Sequence, residues 1–392
     1  MSPSTSHLAL PFFEAVHREL GGGLIDWMTG QLVDETDDRI ACRQWVRLLG
    51  DGGWLGYCVP AGEGGVLGGA LPRLDSRALV ILRETLAFYS PLADFAFAMQ
   101  GLGSGAITLA GTAAQQAKYL TMVARGEKIA AFALSEADAG SDVGAMQATA
   151  TRTARGWVIN GNKTWISNGG IADFYVTFAK TDATAGTRGI TAFVVDADTP
   201  GLDSSEQIAV MAPHPLATLR FTDCELAENS QLGALQGGFK LAMQTLDIFR
   251  ASVAGAAVGM ARRALAEAVH YTKQRHMFGQ KLADFQLTQA KIGEMAALID
   301  SAALLTYRAA WVRDEGERSG NSSRRTTEAA MAKMVATENA QRVIDMALQM
   351  HGGLGLKVGT KIESLYRDIR ALRIYEGATE VQQLIIGRAV LQ

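Results

Sequence analysis

The chain has 392 residues, a net charge of -3, 48% hydrophobic and 20% charged residues, which is more than one ordinary core holds and predicts two or three domains. No basic surplus is present to neutralise a phosphate backbone, which argues against nucleic acid as a partner. No apolar run reaches roughly 18 residues, which argues against a membrane-spanning helix.

Residues 1–127 read as an N-terminal helical domain, with apolar residues at helical spacing over 79–89 and 113–124 and a glycine-rich loop at 61–69. Glu14, Arg18 and Glu19 interrupt the first apolar stretch, so a secretory signal is not expected. Residues 128–235 change texture and predict a small central β domain. Trp157-Val-Ile, Asn160-Gly161 and 162–166 read as a hairpin, because Asn-Gly tolerates the positive φ of a two-residue turn. Further strands are expected at 174–179, 190–195 and 218–222.

Residues 236–392 return to helix. Long periodic segments at 239–276, 284–313, 326–350 and 361–372 predict a four-helix bundle. The third ends at His351-Gly352-Gly353 through a left-handed glycine, and Thr379 is expected to N-cap a short last helix. The fold class is therefore mainly α with a central β domain. Gly101-Leu-Gly103-Ser-Gly105 lacks a preceding strand and reads as helix packing or a loop, not a dinucleotide fingerprint. Cys42, Cys58 and Cys224 are odd in number and widely spaced. They fit neither a disulfide framework nor a CxxC metal site; a reducing compartment such as the cytoplasm is expected, with no metal.

Four segments carry candidate chemistry. From Ala131 to Asp142 an apolar strand opens into a polar, glycine-containing turn. Its backbone N–H groups and Ser141 suit an anion, and a plain strand-to-loop junction has the same pattern. In Lys163-Thr-Trp165-Ile-Ser167, Trp165 and Ser167 share a strand face. The indole suits covering a flat ring and the hydroxyl suits bonding it; a core tryptophan near a turn is the alternative. Tyr375-Glu376-Gly377 lies between two helices in apolar surroundings, where partial desolvation would raise a carboxylate's pKa and suit a general base. A capping or surface glutamate fits the same position. Arg275-His-Met-Phe278-Gly at a helix end suits pyrophosphate and equally a helix C-terminal cation.

Together, in order and spacing, the segments 134–142, 165–170, 275–279, 349–353 and 375–377 resemble the acyl-CoA dehydrogenase family, over nearly the whole chain. The resemblance implies an N-terminal helical domain, a central β-barrel and a C-terminal four-helix bundle, with FAD between the last two. It implies that Leu134 and Ser135 meet the flavin ring, that Ser141 reaches the pyrophosphate, that Trp165 flanks the ring and that Ser167 bonds near N5. Arg275 and Phe278 are expected to contact the FAD of a neighbouring subunit, in a homotetramer or dimer, and Gln349, Gly352 and Gly353 to line its adenosine and pyrophosphate path. Arg250, Tyr375 and Gly377 fall on the acyl-CoA side, and Glu376 matches the base. Some relatives supply the base just before the equivalent of Arg250, where this chain has Phe249.

Departures are Ala378 in place of a flavin-bonding threonine, serines at 135 and 167 in place of threonines, and a loose match over 211–219 around His214. The implied reaction removes the α-proton and β-hydride of an acyl-CoA thioester and passes electrons to an electron-transfer flavoprotein. An acyl floor at 89–109 without Lys or Arg favours a short, branched or cyclic acyl group over a dicarboxylyl one. The alternatives are a flavin-dependent oxidase or monooxygenase on the same fold and a non-catalytic paralogue.

Overall fold

The computed structural model describes residues 1–320 and 326–392. Helices α1 (Ala15–Thr29), α2 (Asp38–Asp51), α3 (Ser76–Tyr89), α4 (Pro91–Ala110) and α5 (Ala113–Ala124) come first. Strands β1 (Ala130–Ala133), β2 (Thr149–Thr153), β3 (Gly156–Ser167), β4 (Phe174–Lys180), β5 (Ile190–Asp196), β6 (Leu202–Gln207), β7 (Leu216–Ala227) and β8 (Gln231–Leu232) follow. The long helix α6 (Gly238–Gln274) leads to a small hairpin, β9 (His276–Met277) and β10 (Gln280–Lys281), then α7 (Gln286–Arg318), α8 (Thr326–His351), α9 (Lys361–Leu372) and α10 (Thr379–Val390). The chain divides into two compact units, Met1–Leu32 with Ser76–Asp94 and Arg250–Gln392, and Val33–Asp75 with Phe95–Phe249.

The second unit is organised by one sheet in the order β6-β7-β3-β2-β4-β5-β8, with β1 parallel to β4. β4 and β5 are buried along nearly their whole length, so they read as continuous apolar runs, as strands covered on both faces do. β3 alternates only in parts, because its register slips twice against β7, between Ile159 and Gly161 and between Lys163 and Ile166.

The first slip corrects the hairpin expected at Asn160-Gly161. The chain does not reverse there; Thr153 pairs with Gly156, so the turn is at Ala154-Arg155. Asn160 instead grips β7, donating to the Asp223 carboxylate at 3.1 Å and accepting the Asp223 N–H at 2.7 Å. Gly161 has φ 132°, and a Cβ on it would lie 2.7 Å from Ala148 Cα. The dipeptide that tolerates a tight turn serves a β-bulge here.

The first unit is helical. Its core is tied by Glu84 on α3, which accepts from Arg262 Nε on α6 at 2.7 Å and from the Tyr307 hydroxyl on α7 at 2.7 Å. Asp314 on α7 caps the start of α3, accepting from Ser76 N at 2.8 Å and Arg77 N at 3.1 Å. α6 approaches α3 through glycine: a Cβ at Gly259 would sit 2.0 Å from the Glu84 carbonyl oxygen. Gly259→Ala should therefore destabilise the protein by about 1–3 kcal/mol, read as a lower urea midpoint with unchanged slope.

Other boundaries shift by a few residues. α6 ends at Gln274 because residues 276–281 fold into the β9–β10 hairpin, with Leu282 N donating to the Arg275 carbonyl at 2.7 Å. α7 runs on to Arg318, and β7 is longer than the expected 218–222. Gly352 after α8 does take φ 56°. Thr379 is not an N-cap: Ala378 holds that position, and the Thr379 hydroxyl donates to Glu338 at 2.7 Å.

Candidate active site

The turn between α9 and α10 belongs to the helical unit. It is held by Tyr375 N donating to the Ala371 carbonyl at 3.1 Å and Thr379 N to the Arg373 carbonyl at 3.2 Å. Within it Glu376 has φ 53° and Gly377 φ 96°. A left-handed glutamate is strained unless its surroundings hold it, and a Cβ at Gly377 would meet Gln382 Nε2 at 2.3 Å, so only glycine fits. Glu376 Oε2 is shielded from solvent without a hydrogen-bond partner among the described residues. Burial raises the Glu376 pKa above its ordinary value; Arg83, Lys333 and Arg250 pull against that rise and Asp94 adds to it.

The cations around this carboxylate are not alike. Arg83 is almost fully buried and clamps Asp94 with two bonds of 2.8 Å, and its Nη1 donates to Ser252 at 3.1 Å. Arg250 is buried, with Nη2 4.0 Å from where a Gly377 side chain would begin. Lys333 is fully buried on α8 and donates to the Gly377 carbonyl at 2.7 Å.

A second group lies in the β unit. Leu134 is buried and Ser135 half-buried just after β1. Both are held from behind: Lys163 Nζ donates to the Leu134 carbonyl at 3.1 Å, and Thr164 N to the Ser135 carbonyl at 3.0 Å. Lys163 also pairs with Glu136 at 2.8 Å, and Glu136 accepts from Gln147 N and Ala148 N at 2.5 and 3.0 Å. Trp165 has φ 58° and is 56% exposed. It sits at the second register slip of β3. Strict alternation would turn Trp165 to the same side as buried Lys163; the slip buries Ile166 instead and leaves Trp165 and Ser167 opposite it. A large exposed indole beside an accessible hydroxyl and a rigidly held Leu134-Ser135 strand end fits a planar, hydrogen-bonding ring such as a flavin. Ser141 is exposed in the turn beyond.

The remaining sequence candidates are in the helical unit and all reach solvent: Arg275, Gln349, Gly352 and Gly353 are exposed. Phe278, at the tip of the β9–β10 hairpin with φ 48°, is 88% exposed. Gly101 and Gly105 receive the ring of Phe249, which comes within 2.5 and 2.8 Å of a Cβ placed on each, and Gly103 backs onto Ala130 at 2.7 Å. These three glycines allow close packing of protein against α4. His214, in the loosely matching segment, is half-buried with Phe95, ring centroids 4.6 Å apart.

Sequence reasoning missed Lys163, Lys333, Asp94 and Gln382. Lys333 carried a signal: it stands in a stripe of buried alanines, Ala329, Ala330, Ala332 and Ala336, where an unpaired ammonium would be costly.

The chain is mainly helical with a central β domain and carries a shielded carboxylate on a strained turn. Family models for the acyl-CoA dehydrogenase N-terminal, middle and C-terminal domains match residues 28–127, 131–224 and 236–391. A 3-(aryl)acrylate reductase of Clostridium sporogenes is 37% identical over 97% of this chain and 100% of its own length. Subunit CarC of the caffeyl-CoA reductase–Etf complex of Acetobacterium woodii is 36% identical over 93% and 94%. The butyryl-CoA dehydrogenase structure from Megasphaera elsdenii superposes with TM-score 0.88 at 32% identity, covering 97% of this chain and 99% of that one. The chain belongs to the acyl-CoA dehydrogenase family, whose members are FAD flavoproteins. No helix among the described residues is long and apolar enough to cross a membrane.

Proposed function

We propose that this protein interconverts an acyl-CoA thioester and its 2-enoyl counterpart, with Glu376 as the acid–base residue. The observation that carries the reading is the shielded, unpartnered Oε2 of Glu376 on a strained turn. A thioester α-proton is too weakly acidic for a solvated carboxylate, and burial raises the affinity of Glu376 for it. Bound FAD supplies the acceptor for the β-hydride. Leu134, Ser135, Trp165 and Ser167 would hold the flavin ring, with Ser141 on the pyrophosphate. Arg275, Phe278, Gln349, Gly352 and Gly353 would complete the nucleotide path in a homotetramer or dimer; the full exposure of Phe278 is what a residue reaching a second subunit requires. Arg250, Tyr375 and Gly377 would face the thioester, whose carbonyl oxygen accepts from the Glu376 N–H as charge develops. Domain boundaries at 127/128 and 235/236 suit this division. The electron partner is an electron-transfer flavoprotein.

The acyl group is short, branched or cyclic. Arg83 is already paired with Asp94, so it offers no free counter-ion to a second carboxylate. Two relatives named as reductases favour a second reading in which the same residues run in reverse on an aryl-substituted enoyl thioester, Glu376 delivering the α-proton. A panel of linear, branched, cyclic, aryl and dicarboxylyl thioesters, followed at the flavin absorbance band in both directions, tests both. Fast turnover confined to glutaryl-CoA would reject the proposed acyl class. Rapid reoxidation of the reduced enzyme by oxygen, with none by an electron-transfer flavoprotein, would move it to the oxidases.

A further inference from the structure

The Gly377 carbonyl accepts two side-chain donors, Lys333 Nζ at 2.7 Å and Gln382 Nε2 at 3.0 Å, and both side chains are fully buried. α8 also fastens the two ends of the same turn through one residue. Glu338 accepts from Arg373 Nε at 2.8 Å and from the Thr379 hydroxyl at 2.7 Å. α8 thus grips residues 373, 377 and 379, and the left-handed Glu376 lies between the grips. Strain of this kind persists only where neighbours over-determine it.

We propose that Lys333 is the positioning residue of the catalytic base, fixing the turn that presents Glu376 through the Gly377 carbonyl and setting its charge balance with a buried ammonium. The inference rests on the reading of Glu376 as the base. The charged groups facing Lys333 are Glu376 in the turn, Arg250 on α6, Glu338 on its own helix and Glu380 on α10. Burial pushes the Lys333 pKa down to about 8, with Glu376 the leading influence holding it up. The coupling is mutual, since Lys333 in turn favours the ionised form of Glu376.

The test uses Lys333→Met, Lys333→Gln and Lys333→Arg in the FAD-loaded enzyme, beside Glu376→Gln. The readouts are kcat and KM against pH, and an infrared titration of the Glu376 carboxyl band, assigned by its loss in Glu376→Gln. Lys333→Met removes donor and charge. Its kcat should fall about 10–100-fold, the scale of a misplaced reacting group, with KM little changed, and its carboxyl midpoint and acid limb should move to higher pH. Lys333→Gln keeps a donor without the charge, so it should share the midpoint shift and keep more of kcat. Lys333→Arg keeps both and should leave the midpoint in place. If Lys333→Met does not fold, the Gln and Arg variants decide the matter between them. Wild-type kcat and midpoint in Lys333→Met beside an inert Glu376→Gln would overturn the role of Lys333 alone. Wild-type turnover by Glu376→Gln would overturn the base itself.

Discussion

Glu376→Gln is expected to retain yellow FAD and to bind acyl-CoA, yet to lose substrate-driven flavin bleaching by several orders of magnitude. Removal of a general base alone costs about 10²–10⁴ in rate. The amide keeps the shape of the side chain in its left-handed turn and removes only the proton acceptor. Stopped-flow absorbance checks it, and bleaching near the wild-type rate would reject the assignment. The same variant makes a stability prediction of opposite sign. The Glu376 pKa is raised in the folded state, so its contribution to stability is present below the unfolded carboxyl pKa and is lost as pH rises through the folded one. Glutamine cannot ionise and escapes that loss. The variant should melt above wild type at neutral and alkaline pH at saturating FAD, and the difference should close in acid. Burial of Glu376 thus exchanges stability for the raised proton affinity that the proposed reaction uses.

Lys163→Met should have the largest effect on the β unit. Lys163 is fully buried, and its ammonium serves the Leu134 carbonyl and the Glu136 carboxylate together. Burial lowers its pKa, with Glu136 pulling the other way, and removing it strands Glu136 as a buried anion with only two backbone donors. Breaking such a pair from one side costs roughly 3–5 kcal/mol. Because the Leu134–Ser135 segment then loses its support, FAD should also dissociate more readily. Urea unfolding of the apoprotein and flavin retention on gel filtration measure the two effects. Glu136→Gln added to Lys163→Met should recover part of the stability, since the stranded charge is gone. A midpoint equal to wild type in Lys163→Met would mean that the ion pair contributes nothing.

Much of the architecture could be read from periodicity. α5 and α9 coincide with their expected ranges, because an amphipathic stripe and a clear stop leave few alternatives. Asn160-Gly161 was misleading for a definite reason. The conformational tolerance that permits a hairpin turn equally permits a bulge, and the choice was made by Asp223 and Ala148, distant in sequence from the turn signal or silent in it. The Gly101–Gly105 run is ambiguous in the same way, and Phe249 and Ala130, both outside it in the chain, decide that it serves packing.

The amino-acid order by itself determined the helix–β–helix arrangement and the family, and it placed Glu376 between two helices beside a glycine. It could do so because helical period and short motifs are local properties. Tertiary structure alone decided that Glu376 Oε2 is shielded, that Arg83 is spent on Asp94, and that Lys333 and Lys163 hold the two halves of the candidate chemistry from behind. Desolvation and charge pairing depend on which distant side chains pack together, and no local pattern encodes that.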